Sequence, residues 1–296
     1  MPAKSVARRP VALLSALAFL LLLTPDAPVP LVPVPLVPVA VIPAAVIPVA
    51  GVPVAGASAE APAASLTRSL DRYLNGLPGD LSVSVRELST GRSFTYNRGL
   101  RTATASIVKV NIVMALLLKA QRQRRKTSAW ERRTAARAVK VSDNAAASAL
   151  WSAIGGASGL AAANKRLGLR HTRPGPGGAW GSTTTSAADQ VRLLSALVSP
   201  KSPLSARHRA YVLRLMGDVA PEQAWGVSAA GTGAALKNGW LPRERDGGRW
   251  TVNSMGRVRK GGRTYLIAVI SRRHRSMGAG VKAIEHVSKM VARGLS

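Results

Sequence analysis

A proline stands at every fifth position from residue 28 to residue 53 (Pro28, Pro33, Pro38, Pro43, Pro48, Pro53), set among Val, Leu, Ile and Ala. Proline at that period blocks a helix and removes ladder donors from a sheet, so the stretch is expected to be extended and polyproline-like, outside any packed core. Before it lies a basic start (Lys4, Arg8, Arg9) and an apolar run from Val11 to Leu23. That run is the pattern of a secretory signal and is short for a bilayer span. The expected organisation is a signal peptide over 1–27, a Pro/Val/Ala-rich linker over 28–59 and one domain over 60–296. Ala57-Ser58-Ala59 is a small-residue cleavage pattern that lies far from the apolar run. About 235 residues remain for a domain of ordinary size.

Composition narrows the function classes. The 296 residues include 42 Lys and Arg against 13 Asp and Glu, a formal charge of +29. Such a field favours anionic partners, and an arginine-rich surface suits an anionic cell envelope. Aromatics make up only 4% of the chain. No basic stripe interleaves with stacking residues, which argues against nucleic acid as a partner. Cysteine is absent, and the four histidines (His171, His208, His274, His286) show no paired ligand spacing. No metal and no cofactor is therefore expected.

Periodicity after residue 60 predicts helices over 65–75, 107–121, 130–139, 144–154, 159–167, 185–197 and 279–293. It predicts strands over 81–88, 93–96, 234–240, 249–258 and 264–271. Strands near both ends with helices between them imply an α+β fold of three α/β/α layers. In it an antiparallel sheet is flanked by helices, with a helical lobe inserted at about 106–200 and the active site between sheet and lobe.

Three short motifs occur in one order: Ser106-Ile107-Val108-Lys109, Ser142-Asp143-Asn144 and Lys237-Asn238-Gly239. The first puts a hydroxyl at a helix N-terminus and an amine one turn later on the same face. Serine is a weak nucleophile that needs a base, and a lysine serves when burial depresses its pKa. The second motif opens a helix, with serine and aspartate both suited to capping. The third ends a strand at Trp240.

These motifs resemble the Ser-x-x-Lys, Ser-Asp-Asn and Lys-Thr-Gly set of class A β-lactamases and penicillin-binding proteins, with asparagine for threonine in the third. The segments Ile154-Gly155-Gly156, Leu167-Gly168-Leu169 and 183–189 are similar to later family segments, so the resemblance runs from about Ala64 to the C-terminus. It implies an exported serine hydrolase, with Ser106 as nucleophile, Lys109 as general base and Ser142 as proton relay. Asn144, Lys237, Asn238, Gly239 and Trp240 are implied to bind substrate, and the N–H groups of Ser106 and Trp240 to form the oxyanion hole. The implied substrate is a β-lactam or a peptidoglycan-derived peptide, taken by a monomer in the cell envelope or outside the cell. The short spacing from Ser106 to Ser142 implies a trimmed lobe and an open cleft.

One family element is missing. The loop after the Ser-Asp-Asn helix normally carries a glutamate that activates the deacylating water, but no Asp or Glu occurs from Asn144 to Ala188. The loop at 170–181 offers only His171 as a base. Hydrolysis of a β-lactam acyl-enzyme is therefore expected to be slow. A D,D-peptidase or esterase, and a penicillin-binding envelope protein without turnover, stay open beside the β-lactamase reading.

Overall fold

The computed structural model of the protein describes residues 57–295, so the expected signal peptide and nearly all of the expected linker lie outside the described residues. Helix α1 (Ala57–Leu74) starts well before the expected Ser65 and includes the Ala57-Ser58-Ala59 tripeptide. Strands β1 (Asp80–Glu87) and β2 (Ser93–Tyr96) form a hairpin. A two-residue strand β3 (Thr102–Ala103) leads through a 3-10 turn (Ala105–Ile107) into α2 (Val108–Arg122). Helices α3 (Ala129–Lys140), α4 (Asn144–Ile154) and α5 (Gly156–Arg166) follow. Next come β4 (Thr184–Thr185), α6 (Ala187–Val198) and α7 (Ala206–Gly217). Strands β5 (Thr232–Arg243), β6 (Arg249–Lys260) and β7 (Arg263–His274) and helix α8 (Met277–Gly294) complete the chain.

The strands other than β3 and β4 make one antiparallel sheet in the order β2-β1-β7-β6-β5. Alternation along the strands splits the core in two. Leu81, Val83 and Val85 of β1 with Ile267 and Val269 of β7 share one apolar cluster with Leu66 and Leu70 of α1 and Ile284, Val287 and Val291 of α8. Leu266, Ala268 and Ile270 of β7 join the other cluster, with α2, α6 and α7. This is the expected α+β fold of three α/β/α layers, its helical lobe inserted between β3 and β5.

The lobe extends further than expected. Helix α7 lies beyond the expected limit near residue 200, in a segment for which periodicity predicts no element. Ser205 caps it by accepting from the His208 N–H, and its buried stripe is Val212, Leu215 and Met216. Three arginines, Arg207, Arg209 and Arg214, interrupt that stripe and mask its period. The pairing of β3 with β4 was not anticipated either, because two-residue strands carry no periodic signal.

Capping sets several boundaries. Ser128 and Glu131 form a reciprocal capping box at α3, so Glu131 is committed there and to Arg125. Asp143 caps α4 through the Ala146 N–H, and α4 ends at Gly155 with φ of 93°.

One side chain ties the sheet to the turn that carries Ser106. Asn253, fully buried in β6, donates to the carbonyls of Ala103 (2.9 Å) and Thr104 (3.0 Å) and accepts from the Ser271 N–H (3.0 Å). Asn253→Ala strands these buried backbone groups and is expected to lower the unfolding free energy by about 2–4 kcal/mol. Urea denaturation checks this; a loss under about 0.5 kcal/mol would show that the tether is not structural.

Candidate active site

The site forms where the 3-10 turn, the start of α4, the loop at 175–182 and edge strand β5 meet. Ala105, immediately before Ser106, has φ of 48°, and Ser142 has φ of 57°. A left-handed conformation at a non-glycine residue costs on the order of 1–3 kcal/mol and persists only where the surroundings enforce it. Both strained residues thus flank or form the proposed chemistry. At Ser142 the conformation turns the carbonyl and the hydroxyl of one residue toward one amine.

That amine is Lys109, in the first turn of α2 and fully buried. Its Nζ donates to the Ser142 carbonyl, to Asn144 Oδ1 (2.8 Å) and to Ser142 Oγ (3.1 Å). The Trp180 ring lies over it, with its centroid 5.0 Å from Nζ. Burial pushes the Lys109 pKa down to about 8, against an opposing pull from the Asp143 carboxylate. Asp143 is itself kept below the ordinary carboxylate range by the Ala146 N–H and by Arg137. Ser106 is partly exposed at the cleft, and among the described residues no hydrogen bond joins its hydroxyl to Lys109.

Strand β5 closes the other side. Lys237 is fully buried, donates to the Asn238 carbonyl at 2.9 Å, and is pushed down to about 7 by burial and by the charge of Lys109. Gly239 explains how β5 and the turn approach each other. A Cβ there would lie 2.5 Å from Ser106 N and 2.7 Å from Ile107 N, so only glycine fits. The close approach is to the backbone of the turn that carries Ser106.

Asn238 departs from its expected place. Its side chain is fully buried and gives both amide hydrogens away, to the carbonyls of Gln223 and Trp225, each at 2.8 Å. Both side-chain donors of Asn238 are thus engaged by backbone carbonyls within the protein. Parity is the reason: Lys237 and Gly239 share one face of β5, and Asn238 points to the other. Trp240 packs at 5.6 Å from Trp225.

The cleft, of about 390 Å³, is lined by Ser106, Asn144, Trp180 and Trp240 together with Ala105, Leu241 and the small residues of 178–182. No carboxylate and no imidazole is among its lining residues. The loop above it is anchored elsewhere. Buried Asp189 accepts from the N–H groups of Arg170 (3.0 Å) and His171 (2.6 Å), from Thr172 Oγ1 (2.7 Å) and from Arg192 (2.7 Å). Burial alone would raise its pKa, but these donors outweigh it and hold the carboxyl below its ordinary value. His171 lies beside this anchor, 3.3 Å from Ser186 Oγ. Trp151 donates to the Gly177 carbonyl, and Trp180 donates to Ser148 Oγ at 3.1 Å. Sequence reasoning passed over Trp180, although a large aromatic isolated among Gly177, Gly178 and Gly181 was a visible signal. Among the described residues no three His, Asp or Glu side chains gather as a metal site.

A sheet backed by two terminal helices, with a Ser, Lys, Ser, Asn cluster facing an inserted helical lobe, is the architecture of the active-site serine β-lactamases. The chain matches the model of the Beta-lactamase enzyme family over residues 65–129 and 126–295, and it belongs to that family. Its fold is that of a class A β-lactamase from Bacteroides cellulosilyticus, at 16% identity and a TM-score of 0.67 over 79% of this chain and 98% of that one. PBP-A, in an acyl-enzyme complex with penicillin G, has the same fold at 21% identity and a TM-score of 0.67, over 78% and 96% of the two chains. The protein named lipoprotein LppW in Mycobacterium tuberculosis is 28% identical over 169 residues. The chain spans about half the length of that curated relative, 54% of each.

Both amines lie below the ordinary lysine value of 10.5. Between about pH 7 and 10.5 the unfolded chain therefore binds more protons than the folded chain, and stability rises with pH across that window. Denaturant titrations from pH 7 to 10 should show this rise in the wild type and a flatter profile in Lys109→Met/Lys237→Met. Parallel profiles would contradict the assigned shifts.

Proposed function

We propose that the protein is an exported serine hydrolase that takes an acyl group from a β-lactam onto Ser106 and hydrolyses it slowly. The observation that carries the reading is the Lys109 amine, one turn from Ser106, hydrogen-bonded to Ser142 and Asn144 and pushed by burial to a pKa of about 8. Two of its hydrogens go to fixed acceptors, the Ser142 carbonyl and Asn144 Oδ1. The third is directed at Ser142 Oγ; on deprotonation that position becomes a lone pair, and Lys109 is then a base rather than a cation.

The roles follow from that. Ser106 Oγ attacks the lactam carbonyl as its proton passes to Lys109, and the oxyanion develops against the N–H groups of Ser106 and Trp240. Ser142 gives its proton to the leaving nitrogen as the C–N bond breaks and is reprotonated from Lys109. Lys237, at the back of the site, supplies charge for the substrate carboxylate, and Asn144 positions the acyl amide. Water then attacks the ester without help from a carboxylate. A missing positioned base costs about 10²- to 10⁴-fold in such a step.

A second reading, a D,D-peptidase that uses the same serine, is favoured by the cleft lined with Trp180 and small loop residues in place of an acid. Export rests on the basic start and apolar run of the first 23 residues. The LppW relative bears the name of a lipoprotein, whereas this chain has no cysteine to carry an S-linked lipid.

Incubation with excess benzylpenicillin, followed by intact mass, tests the reading. A penicilloyl adduct should form on the wild type, persist, and be absent from Ser106→Ala. Absence of an adduct from the wild type would overturn the proposal, and rapid clearing with accumulating penicilloate would overturn slow hydrolysis. Release of D-alanine from a peptide ending in D-Ala-D-Ala would establish the peptidase reading.

A further inference from the structure

Away from the cleft, and sharing no lining residue with it, a second cavity of about 500 Å³ opens between the α2–α3 connection and α7. Its wall carries five cationic side chains: Arg125, Lys126, Arg132, Arg207 and Arg214. The carboxylate at this wall, Glu131, is used up by Arg125 through two parallel bonds of 2.8 and 2.9 Å and by the α3 capping box. Among the described residues, Lys126, Arg132, Arg207 and Arg214 form no ion pair.

Concentrating four uncompensated cations around one concavity is costly by mutual repulsion, and a bound anion relieves that cost. The convergence is visible in neighbouring groups. Arg214 and Arg132 both act on the Tyr211 hydroxyl, and Arg207 acts on His208. The cavity is also braced. Arg125 is fixed by Glu131, and Arg132 by the Thr127 carbonyl. Gln121 holds the start of α7 by accepting from the Ser205 N–H (3.0 Å) and His208 Nδ1 (2.6 Å) while it donates to the Pro203 carbonyl (3.1 Å). Guanidinium forks presented on a fixed frame match the oxygens of a phosphate better than those of a single carboxylate.

Size and lining extend the argument from an ion to a molecule. A volume near 500 Å³ lies within the range of about 300–1,000 Å³ of small-molecule sites and exceeds what a bare phosphate fills. Leu117, Ala210 and the Tyr211 ring add an apolar, aromatic wall beside the charges. Tyr211 is held by its hydroxyl, which donates to the Arg132 carbonyl at 3.0 Å, and the Arg214 guanidinium lies 5.6 Å from its ring. A ring so placed can pack against a sugar or polyol body while the arginines take its phosphate.

We propose that this cavity is a binding site for a phosphate ester with a sugar- or polyol-sized body, either free or as a unit of an anionic phosphodiester polymer. The site is independent of acyl transfer at Ser106. Calorimetric titration at constant ionic strength tests it, with inorganic phosphate, glycerol 3-phosphate and a glycerol phosphate polymer as probes.

Saturable binding of the esters, tighter than inorganic phosphate and weakened at least tenfold in Arg207→Ala/Arg214→Ala, is the expected result. Tighter binding of the polymer per phosphate would assign the polymeric source, and equal binding the free ester. Penicilloyl adduct formation and the far-UV circular dichroism spectrum should be unchanged in that variant, since both arginines are exposed and outside the cleft. An ester bound no better than inorganic phosphate would overturn the proposal. So would binding that the variant retains, or a single-stranded oligonucleotide bound equally by both proteins, which would reveal only the general field of the chain.

Discussion

Burying the Lys109 amine is the constraint around which the rest of the site is organised. An ammonium group removed from water is costly unless it is paired or hydrogen-bonded, and here no carboxylate is in direct contact with it. The chain answers with neutral acceptors. Ser142 is held in a left-handed conformation so that its carbonyl and hydroxyl both reach Nζ, and Asn144 adds an amide oxygen. Asp143 stands between these two residues, but its carboxylate caps α4 and pairs with Arg137. Its charge is thus felt by Lys109 at a distance and does not lock the amine in its protonated form.

The same constraint explains the surroundings. Trp180 lies over the amine and shields it from water, fixed by Ser148, while the loop that carries it is anchored at Asp189 and Trp151. Gly239 lets β5 press against the Ser106 turn, and Asn253 pins the residues before that turn to β6. Lobe and sheet are thus held in register by a close backbone approach and a buried side-chain amide at the point where the chemistry is proposed. What the arrangement omits is equally informative. The loop is built to place an indole over the lysine, and its own sequence has no acid with which to activate a water.

Much of this was legible in the sequence because motif spacing is local. Ser106 and Lys109 are one helical turn apart, and Ser142 to Asn144 begin a capped helix, so short-range geometry determines where they lie. The five long strands and the terminal helix were legible from their period. Features that depend on tertiary parity were not. Asn238 follows a buried lysine and matches a family position, yet the alternation of β5 turns it toward Gln223 and Trp225. Helix α7 was hidden because arginines occupy the positions around its apolar stripe, and its packing is decided by β5 and α6 together with α3 and α2 rather than by its own propensity. Trp180 carries no periodic signal at all, since loop placement depends on anchors elsewhere in the chain.

The central claim is that Lys109 is available as a neutral amine near physiological pH. Nuclear magnetic resonance of the protein with carbon-13 at lysine Cε measures this directly. The account predicts two lysine resonances that titrate well below the ordinary range, with midpoints near 8 and near 7, one lost in Lys109→Met and the other in Lys237→Met. Titration of every lysine near 10.5 would contradict it.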